Sequence, residues 1–411
     1  MYQIGIYLYI SIFRIVALFH NKARKMVKGH KETWAILHDK MDYNKPWLWF
    51  HAASLGEFEQ GRPIIEKIRI SHPEYAILVT FYSPSGYEIR KDYAEADIVC
   101  YLPFDSIPNV RKFLNIVQPK MAFIIKYEFW PNYLKKLKKR NIPTYLISGI
   151  FRPEQAFFKT YAVPYRNLLN CFKHFFVQDQ VSVDLLNSIG HFSNVTISGD
   201  TRYDRVLEIR NNAKVLDVAQ VFSEKESNSS NKILIAGSSW PKDEALFIPY
   251  FNAHPEIKLI IAPHEIHEDH LQSIEALLNR PYCRYTQTEP EEARNCDCLI
   301  IDCFGLLSSL YKHGDIAYIG GGFGTGIHNT LEAAVFGIPV IFGPNYRKFI
   351  EAESLINCGG GFSIRTGQEL ESLLDRMISN DETCKKAGKI AGEMVINGSG
   401  STKIILQTIN L

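Results

Sequence analysis

The chain has 411 residues, of which 46% are hydrophobic and 22% are charged. This composition excludes an intrinsically disordered chain, and the length predicts two domains of about 200 residues each. The formal net charge of +2 hides an asymmetry, because residues 1–205 carry 28 Lys+Arg against 18 Asp+Glu and residues 206–411 carry 18 against 26. A basic first half predicts an anionic partner, and charge alone does not decide among a membrane surface, a phosphorylated substrate and a nucleic acid. The eight cysteines lack the paired spacing of a zinc site, so we expect reduced thiols and no metal.

The first 19 residues form an apolar segment interrupted only by Gln3, Ser11 and Arg14. A cleavable signal peptide carries its basic residues first, whereas here the basic run at 22–31 follows the apolar segment. The pattern predicts an anchor helix over residues 1–20, either spanning the membrane or lying in its interface. The alternative is a core helix of a soluble domain, which would rarely be apolar on every side.

From Trp47 onward, short apolar runs alternate with longer amphipathic stretches, which predicts βαβ units with parallel sheets. We therefore expect an α/β fold with two doubly wound, Rossmann-like sheets and a ligand cleft between the two domains. The predicted strands lie at 47–51, 76–81, 121–125, 144–147, 174–177, 233–236, 258–262, 299–301, 316–319 and 339–342. The predicted parts after the anchor are a domain at 21–208, a polar linker at 209–230, a domain at 231–385 and a helical segment at 386–411.

The first predicted strand ends in H-A-A-S-L-G-E, which places Glu57 just after the strand. Ser54 and Glu57 have the spacing of a helix capping box, so Glu57 is explained equally by a bond to a free helix amide. The carboxyl end of a first parallel strand is also where such folds place their chemistry. There Glu57 is a candidate general base for an acceptor hydroxyl.

A second strand-end carboxylate, Glu128, lies in Y-E-F-W-P-N before a basic helix at 133–140. That helix carries cations in five of the six positions from Lys135 to Arg140. A solvated helix face and a surface for anionic headgroups are both consistent with this pattern.

In the second half, three loops are candidates for binding phosphate. The strongest follows a predicted strand and has five glycines within seven residues, which allow close backbone approach to an anion. Asn329 to Glu332 are predicted to open a helix that continues to the next strand. Glu332, expected to be a buried carboxylate one turn into that helix, is placed to accept hydrogen bonds from a ribose diol, although a plain flexible turn would also be rich in glycine. The candidate residues are Ser238 and Ser239 in the first loop, Pro263 and His264 in the second, and Gly322, Gly324, Thr325, Asn329, Thr330, Leu331 and Glu332 in the third. The third loop matches neither a P-loop nor the dinucleotide fingerprint, which favours a nucleotide-sugar transferase.

These motifs resemble the 3-deoxy-D-manno-octulosonic acid (Kdo) transferase family, whose members have the two-domain GT-B architecture. The resemblance covers nearly the whole chain and rests on the apolar N-terminus, H-A-A-S-L-G-E at 51–57, Y-E-F-W-P-N at 127–132, S-G-D-T-R-Y-D at 198–204 and G-I-H-N-T-L-E-A-A at 326–334.

The resemblance implies an inverting transfer of Kdo from CMP-Kdo to a lipid A precursor, without a metal, another cofactor or a nucleic acid. It implies that Glu57 is the proton acceptor and that Glu128 and Arg202 support the transition state. It also implies that Pro263, His264 and the segment at 329–332 hold CMP, together with Phe304, Gly305 and Leu306. The implied location is the inner membrane, with both domains on its cytoplasmic side and anionic lipid as a partner.

The sequence departs from the family pattern at three places: Lys126 replaces a glutamate, His264 an arginine, and Phe304-Gly305-Leu306 the family's M-G-E. Loss of an arginine weakens a phosphate contact unless another cation compensates, and Arg202 is a candidate. One alternative is a GT-B transferase or epimerase that uses another nucleotide sugar. Another is a membrane-tethered binding protein without catalysis.

Overall fold

The computed structural model describes residues 2–159, 162–190, 192–224 and 231–411. These residues form two compact units, one of residues 1–205 with 400–411 and one of residues 206–399. The division falls inside the helix Thr201–Asn211, whereas the sequence placed a linker at 209–230. The helix Asp217–Ser223 lies within that predicted linker, and residues 225–230 lie outside the described residues. Residues 400–411 belong to the first unit, although the sequence grouped them with 386–399.

The first unit contains a parallel sheet in the order β3-β2-β1-β4-β5-β6-β7. Its central strands are buried along their length, because helices cover both faces and apolar side chains are required on each. The strands are β1 (Trp47–Ala52), β2 (Ala76–Phe81), β3 (Ile98–Tyr101), β4 (Met121–Ile125), β5 (Thr144–Gly149), β6 (His174–Val177) and β7 (Val195–Ile197).

The helices of this unit follow its strands as βα repeats, apart from two helices that precede the sheet and one that returns from the C-terminus. They are α1 (Tyr2–Phe19), α2 (Asn21–Lys40), α3 (Leu55–Ser71), α4 (Pro84–Arg90), α5 (Ile107–Val117), α6 (Pro131–Lys139), α7 (Val163–Arg166), α8 (Gln180–Ile189), the first part of α9 (Thr201–Asn211), and α19 (Ser401–Ile409).

The second unit contains a second parallel sheet, in the order β10-β11-β9-β8-β12-β13-β14. The predicted class of two doubly wound parallel sheets is therefore confirmed. The strands are β8 (Lys232–Ser239), β9 (Ile257–Pro263), β10 (Tyr282–Arg284), β11 (Cys298–Ile300), β12 (Ile316–Ile319), β13 (Val340–Phe342) and β14 (Gly361–Ser363).

Helices pack on both faces of this sheet around a core that includes Phe247, Leu259 and Tyr318. They are α10 (Asp217–Ser223), α11 (Pro241–Ala253), α12 (Glu268–Leu277), α13 (Pro290–Ala293), α14 (Leu307–Leu310), α15 (Leu331–Ala334), α16 (Ile350–Cys358), α17 (Gly367–Ser379) and α18 (Asp381–Asn397).

Four strands that the sequence did not predict are the edge strands of the two sheets: β3, β7, β10 and β14. Each has three or four residues, and β7, β10 and β14 are only partly buried. These three edge strands need fewer apolar residues than the buried central strands, so they lack the continuous apolar run by which the central strands were predicted.

The N-terminal helix α1 lies against the first unit along one side. Ile6 and Ile10 pack on Phe104, and the Tyr2 hydroxyl donates to the Asp105 carboxylate at 2.7 Å. The opposite side exposes large apolar side chains, including Leu18 and Phe19. Only 17% of this helix is buried, and its length and composition are sufficient to cross a membrane. It is therefore an apolar helix with one docked face and one uncovered face.

Candidate active site

Glu57 lies in the first turn of α3, immediately beyond β1. Its side chain is buried, and Oε2 accepts the backbone N–H of Ala53 at 2.6 Å. Ser54 precedes the helix but makes no capping bond from its side chain. Neither bond of the reciprocal capping box is formed, because Glu57 accepts from Ala53 and not from the N-cap residue Ser54. Within the described residues no hydrogen bond is made to the second carboxylate oxygen of Glu57.

The pKa of Glu57 is raised above its ordinary value, first by burial and then by the nearby carboxylate of Glu128. The Ala53 N–H bond opposes this rise, as do the charges of His51 and Lys126. A carboxylate made more basic in this way is suited to accept a proton.

Glu128 and His51 lie beside Glu57 at the carboxyl ends of neighbouring strands, since β1 and β4 are paired. Glu128 Oε2 accepts the indole N–H of Trp130 at 2.9 Å and lies 3.6 Å from His51 Nε2. His51 is fully buried, and its Nδ1 contacts Thr80 Oγ1 at 2.9 Å. Its Nε2 has no hydrogen-bond partner within the residues that the structure covers. Sequence reasoning did not select His51, although a histidine in an otherwise apolar strand was a visible signal.

Arg202 begins α9 and forms a two-point contact with Asp200, from Nε at 2.9 Å and from Nη2 at 2.7 Å. Asp200 is itself buried and accepts from the Gln60 amide at 3.3 Å. The guanidinium is therefore held in a fixed orientation by the carboxylate of Asp200, a residue to which the sequence assigned no role. The Arg202 side chain remains 24% exposed.

The charges that act on Tyr127 include those of all three predicted catalytic residues. The pKa of Tyr127 is raised, chiefly by burial; Arg202 opposes the rise, and Glu57 and Glu128 add to it. Arg152 also acts on this ring and opposes the rise more strongly than Arg202. The structure thus brings Glu57, Glu128 and Arg202 into one neighbourhood, with Arg152 as an additional cation that the sequence did not indicate.

A basic groove lies between α5 and α6, with a volume of about 230 Å³. Its cations are Arg111, Lys135, Lys136 and Lys139. Asn132 also lines the groove, and its side-chain oxygen accepts the Gln3 amide of α1 at 2.6 Å. The apolar helix and the basic groove are therefore adjacent on the same unit.

In the second unit, the glycine-rich loop between β12 and α15 is held by Asp243, from the first turn of α11. This buried carboxylate accepts the Tyr318 hydroxyl at 2.8 Å, the Gly321 N–H at 2.9 Å and the Trp240 N–H at 3.0 Å. A side chain at Gly320 would collide with the Ser238 carbonyl, so close backbone approach explains that glycine. Asp243 therefore fixes the loop. Its position as the third residue of α11 was a signal in the sequence for a structural carboxylate, and the sequence analysis did not use it.

The two other candidate loops meet the glycine loop through three aromatic rings. The exposed His264 ring stacks on Trp240 with centroids 4.6 Å apart and lies 4.5 Å from the His328 ring. Trp240 Nε1 donates to His328 Nε2 at 3.3 Å. Burial, followed by the charge of His264, lowers the pKa of His328 to about 4. His328 is thus neutral near neutral pH. His264, at the predicted nucleotide site, is the exposed ring of the cluster.

The two serines of the first loop differ in what they can offer. Ser239 is buried, and its hydroxyl donates to Glu244 at 2.8 Å, so this hydroxyl is already engaged within the fold. Ser238 is partly exposed and adopts a left-handed φ of 52°. The Ser239 carbonyl accepts the His264 N–H at 2.9 Å, which ties the second loop to the first.

The segment after the glycine loop starts a single helical turn, α15, and not the longer helix that the sequence suggested. Asn329 caps it through the Leu331 N–H at 3.1 Å and donates its amide to Glu332 at 3.0 Å. Glu332 is partly exposed, so the expectation of a buried carboxylate was wrong. Thr330 is buried, and its hydroxyl has no hydrogen-bond partner among the residues placed by the structure.

The remaining candidates lie in two exposed loops. Phe304 is 74% exposed, and Gly305 has a left-handed φ of 86°; with Leu306 they precede α14. Gly324 and Thr325 are exposed at the tip of the glycine loop. Gly322 is buried, where a side chain would collide with the backbone of Gly343. Across the described residues, no three His, Cys, Asp or Glu side chains gather as metal ligands would.

The family model for 3-deoxy-D-manno-octulosonic-acid transferase (kdotransferase) matches residues 25–205. The 3-deoxy-D-manno-octulosonic acid transferase of Haemophilus influenzae is 23% identical over 374 residues, which cover 88% of this chain and 86% of that protein. The protein of the same name from Aquifex aeolicus is 26% identical over 344 residues, covering 81% of this chain and 86% of its own length.

Solved structures with the same fold include the UDP-GlcNAc 2-epimerase of Neisseria meningitidis bound to UDP-GlcNAc. It aligns with a TM-score of 0.62 at 16% identity, over 89% of this chain and 99% of that one. MurG of Acinetobacter baumannii aligns with a TM-score of 0.56 at 11% identity, over 89% of this chain and 99% of that one. At such identities these likenesses show the GT-B-like fold alone.

Fold and sequence relatives together define a two-domain enzyme of the glycosyltransferase class. Within that class, the resemblance to the Kdo transferase family is confirmed. The chain is a glycosyltransferase related to the Kdo transferases.

Proposed function

We propose that this chain transfers Kdo from CMP-Kdo to a lipid A precursor, with inversion and release of CMP. The observation that carries the proposal is Glu57, a buried carboxylate at the end of β1 whose pKa is raised and whose second oxygen is left for a substrate. The Kdo transferases that align over most of the chain support the choice of sugar.

In the proposed reaction, Glu57 accepts the proton of the acceptor hydroxyl. The hydroxyl oxygen forms a bond to the anomeric carbon of Kdo, and the bond from that carbon to the CMP phosphate oxygen breaks. The electron pair of this bond leaves with CMP, which gives inversion in a single displacement. General base catalysis of this kind typically contributes about 10²–10⁴-fold to the rate.

Glu128 and Arg202 are proposed to stabilise charge during this step. Glu128 raises the pKa of Glu57 and so makes it a stronger base. Asp200 orients the Arg202 guanidinium, which remains partly accessible to an anionic group of the substrate. A guanidinium fixed in advance costs little reorganisation when charge develops.

The CMP moiety is proposed to bind in the second unit at the glycine-rich loop. The loop offers backbone amides to the phosphate, as do Ser238 and the exposed tip at Gly324 and Thr325. Glu332, oriented by the Asn329 amide, is proposed to accept the ribose hydroxyls. His264, with its ring fixed on Trp240, takes the place of the arginine that the family pattern has.

We further propose that α1 lies in the interface of the inner membrane, on its cytoplasmic side. Its docked face is held by Tyr2 and Gln3, so its uncovered apolar face is the one available to lipid. The neighbouring groove with Lys135, Lys136 and Lys139 supplies cations for anionic headgroups. This arrangement favours a helix that lies along the surface over one that leaves the unit to span the bilayer.

The proposal is tested by incubating the purified full-length protein with CMP-Kdo and a tetra-acylated lipid A precursor. Mass spectrometry should find the precursor increased by Kdo, with free CMP formed in equal amount, and NMR should find the inverted linkage. Formation of CMP and free Kdo without a glycolipid product would contradict the proposed acceptor. A retained configuration would contradict the single displacement through Glu57.

A further inference from the structure

A cavity of about 1030 Å³ opens in the second unit at the carboxyl ends of β13 and β14. Its walls come from the loop after β13, the loop after β14 and helix α17. None of the residues proposed for CMP lines it. The mechanism proposed above leaves this cavity without a role.

Three arginines from three segments line the cavity: Arg347 after β13, Arg365 after β14, and Arg376 in α17. The second half of the chain carries 18 Lys+Arg against 26 Asp+Glu, so a basic cavity here is not a consequence of a basic domain. Guanidinium groups present planar donor pairs that match phosphate oxygens. Their convergence on one cavity points to an anionic ligand.

The guanidinium groups of these arginines form no hydrogen bond or ion pair within the described part of the chain. The other arginines of this unit are all engaged. Arg210 and Arg280 donate to backbone carbonyls, whereas Arg284 and Arg294 pair with glutamates. Within the described residues, the three arginines of this unit whose guanidinium groups make no such bond therefore all line the cavity.

Glu369 is the one carboxylate among the described residues that line the cavity. Its Oε2 already accepts the backbone N–H of Arg365 at 2.6 Å, and its own N–H donates to Thr366 Oγ1 at 3.2 Å. These bonds begin α17, a helix of 13 residues, whose N-terminal amides add positive potential at this wall. The acid is thus part of the helix start, and its single negative charge leaves the three arginines in excess.

The cavity lining also includes three apolar side chains, Ile356, Phe362 and Leu373. The Arg376 guanidinium lies over the Phe362 ring, 5.9 Å from its centroid. All three arginines are exposed, so an anion would be held by the combined charge of three guanidinium groups, and added salt would weaken its binding. A lone surface arginine would lack these combined contacts.

We propose that this cavity is a binding site for a phosphate-bearing ligand, with Arg347, Arg365 and Arg376 as its cations. It is separate from the CMP site and does not depend on the transfer reaction. Asn345, two residues before Arg347, bonds the carbonyls of Gly322 at 3.0 Å and Gly324 at 2.8 Å. An anion bound at Arg347 would therefore be connected to the glycine-rich loop through one short segment.

The test is calorimetric titration of the full-length protein with inorganic pyrophosphate at constant ionic strength. The variants Arg365→Gln and Arg376→Gln should each weaken binding about ten- to a hundredfold, since each removes charge-assisted bonds to phosphate. The matched control is Arg294→Gln, which removes an exposed arginine near the opposite edge of the same sheet, where it pairs with Glu224. The control should bind pyrophosphate as the wild type does.

Two probes distinguish the sources of such a ligand. If dihexanoyl phosphatidic acid binds more tightly than glycerol phosphate, the apolar part of the lining contacts acyl chains and the ligand is a phospholipid. Equal affinity assigns a soluble phosphorylated ligand. The proposal is overturned if wild type binds neither pyrophosphate nor these probes. It is also overturned if Arg365→Gln and Arg376→Gln, with unchanged melting temperatures, bind pyrophosphate as tightly as Arg294→Gln.

Discussion

Replacing Glu57 by glutamine tests the proposed base with little change of shape. The amide oxygen of glutamine can still accept the Ala53 N–H, which the carboxylate accepts at 2.6 Å. The variant cannot take up a proton at neutral pH, so we expect the transfer rate to fall by about 10²–10⁴-fold, or about 3–5 kcal/mol in the activation barrier. CMP binding, proposed for the second unit, should be unchanged.

The matched control is Glu59→Gln, on the same helix. Glu59 pairs with Arg62 at 3.4 Å and Arg90 at 2.7 Å, so its loss removes one negative charge without touching the end of β1. Its transfer rate should remain close to that of the wild type. If Glu57→Gln retained the rate of Glu59→Gln in a single-turnover assay, the assignment of the base would be refuted.

The same pair of variants predicts a dependence of stability on pH. The folded pKa of Glu57 is raised, so its contribution to stability is fully present at low pH and is lost as pH rises through that pKa. Glutamine does not ionise, so the melting temperature of Glu57→Gln should gain on the wild type as pH rises from the ordinary pKa of a glutamate through the raised pKa of Glu57. In the pH–rate profile of the enzyme, the apparent pKa of the acid limb should be higher than the ordinary pKa of a glutamate. A constant difference in melting temperature across this range would contradict the raised pKa.

Three further changes should have distinct effects. Asp243→Ala leaves three donors without an acceptor and should lower the free energy of unfolding by about 2–4 kcal/mol while weakening CMP binding, measured by denaturation and calorimetry. Glu332→Ala should weaken CMP about ten- to a hundredfold with little loss of stability. Combined replacement of Lys135, Lys136 and Lys139 by glutamine should weaken binding to anionic vesicles by about 1 kcal/mol per lysine and leave transfer to detergent-dispersed acceptor unchanged.

Each of these predictions has an outcome that counts against it. Full CMP affinity in Asp243→Ala would mean that the glycine-rich loop does not hold the nucleotide. For Glu332, the wild type and Glu332→Ala would be compared for binding of CMP and of cytosine, which lacks the ribose. If the two proteins bound each ligand with equal affinity, the proposed contact between Glu332 and the ribose would be wrong. For the lysines, vesicle binding that is insensitive to salt in the wild type would contradict an electrostatic contribution.

The centre of each sheet was predictable because buried parallel strands must be apolar on both faces. Trp47–Ala52 and Lys232–Ser239 therefore carry long apolar runs. The edge strands Val195–Ile197 and Tyr282–Arg284 have three residues each, and their pairing depends on neighbours distant in sequence. Their positions follow from tertiary structure and not from local pattern.

The candidate site was predictable where a side chain follows a strand directly, as Glu57 and Glu128 do. The sequence did not reveal the groups that orient them. Asp200 lies in the same motif as Arg202, but the motif alone does not show that its carboxylate orients the guanidinium. His51 faces Glu128 only because β1 pairs with β4. That contact depends on strand order, which no single motif contains.

The central claim is tested most directly by a donor panel with the purified wild-type protein and a tetra-acylated lipid A precursor. CMP-Kdo and UDP-GlcNAc would be supplied separately, and the glycolipid product would be followed by mass spectrometry. The account predicts product from CMP-Kdo alone, with competitive inhibition by CMP and not by UDP. Product from UDP-GlcNAc, or none from CMP-Kdo by a protein that binds UDP, would contradict it.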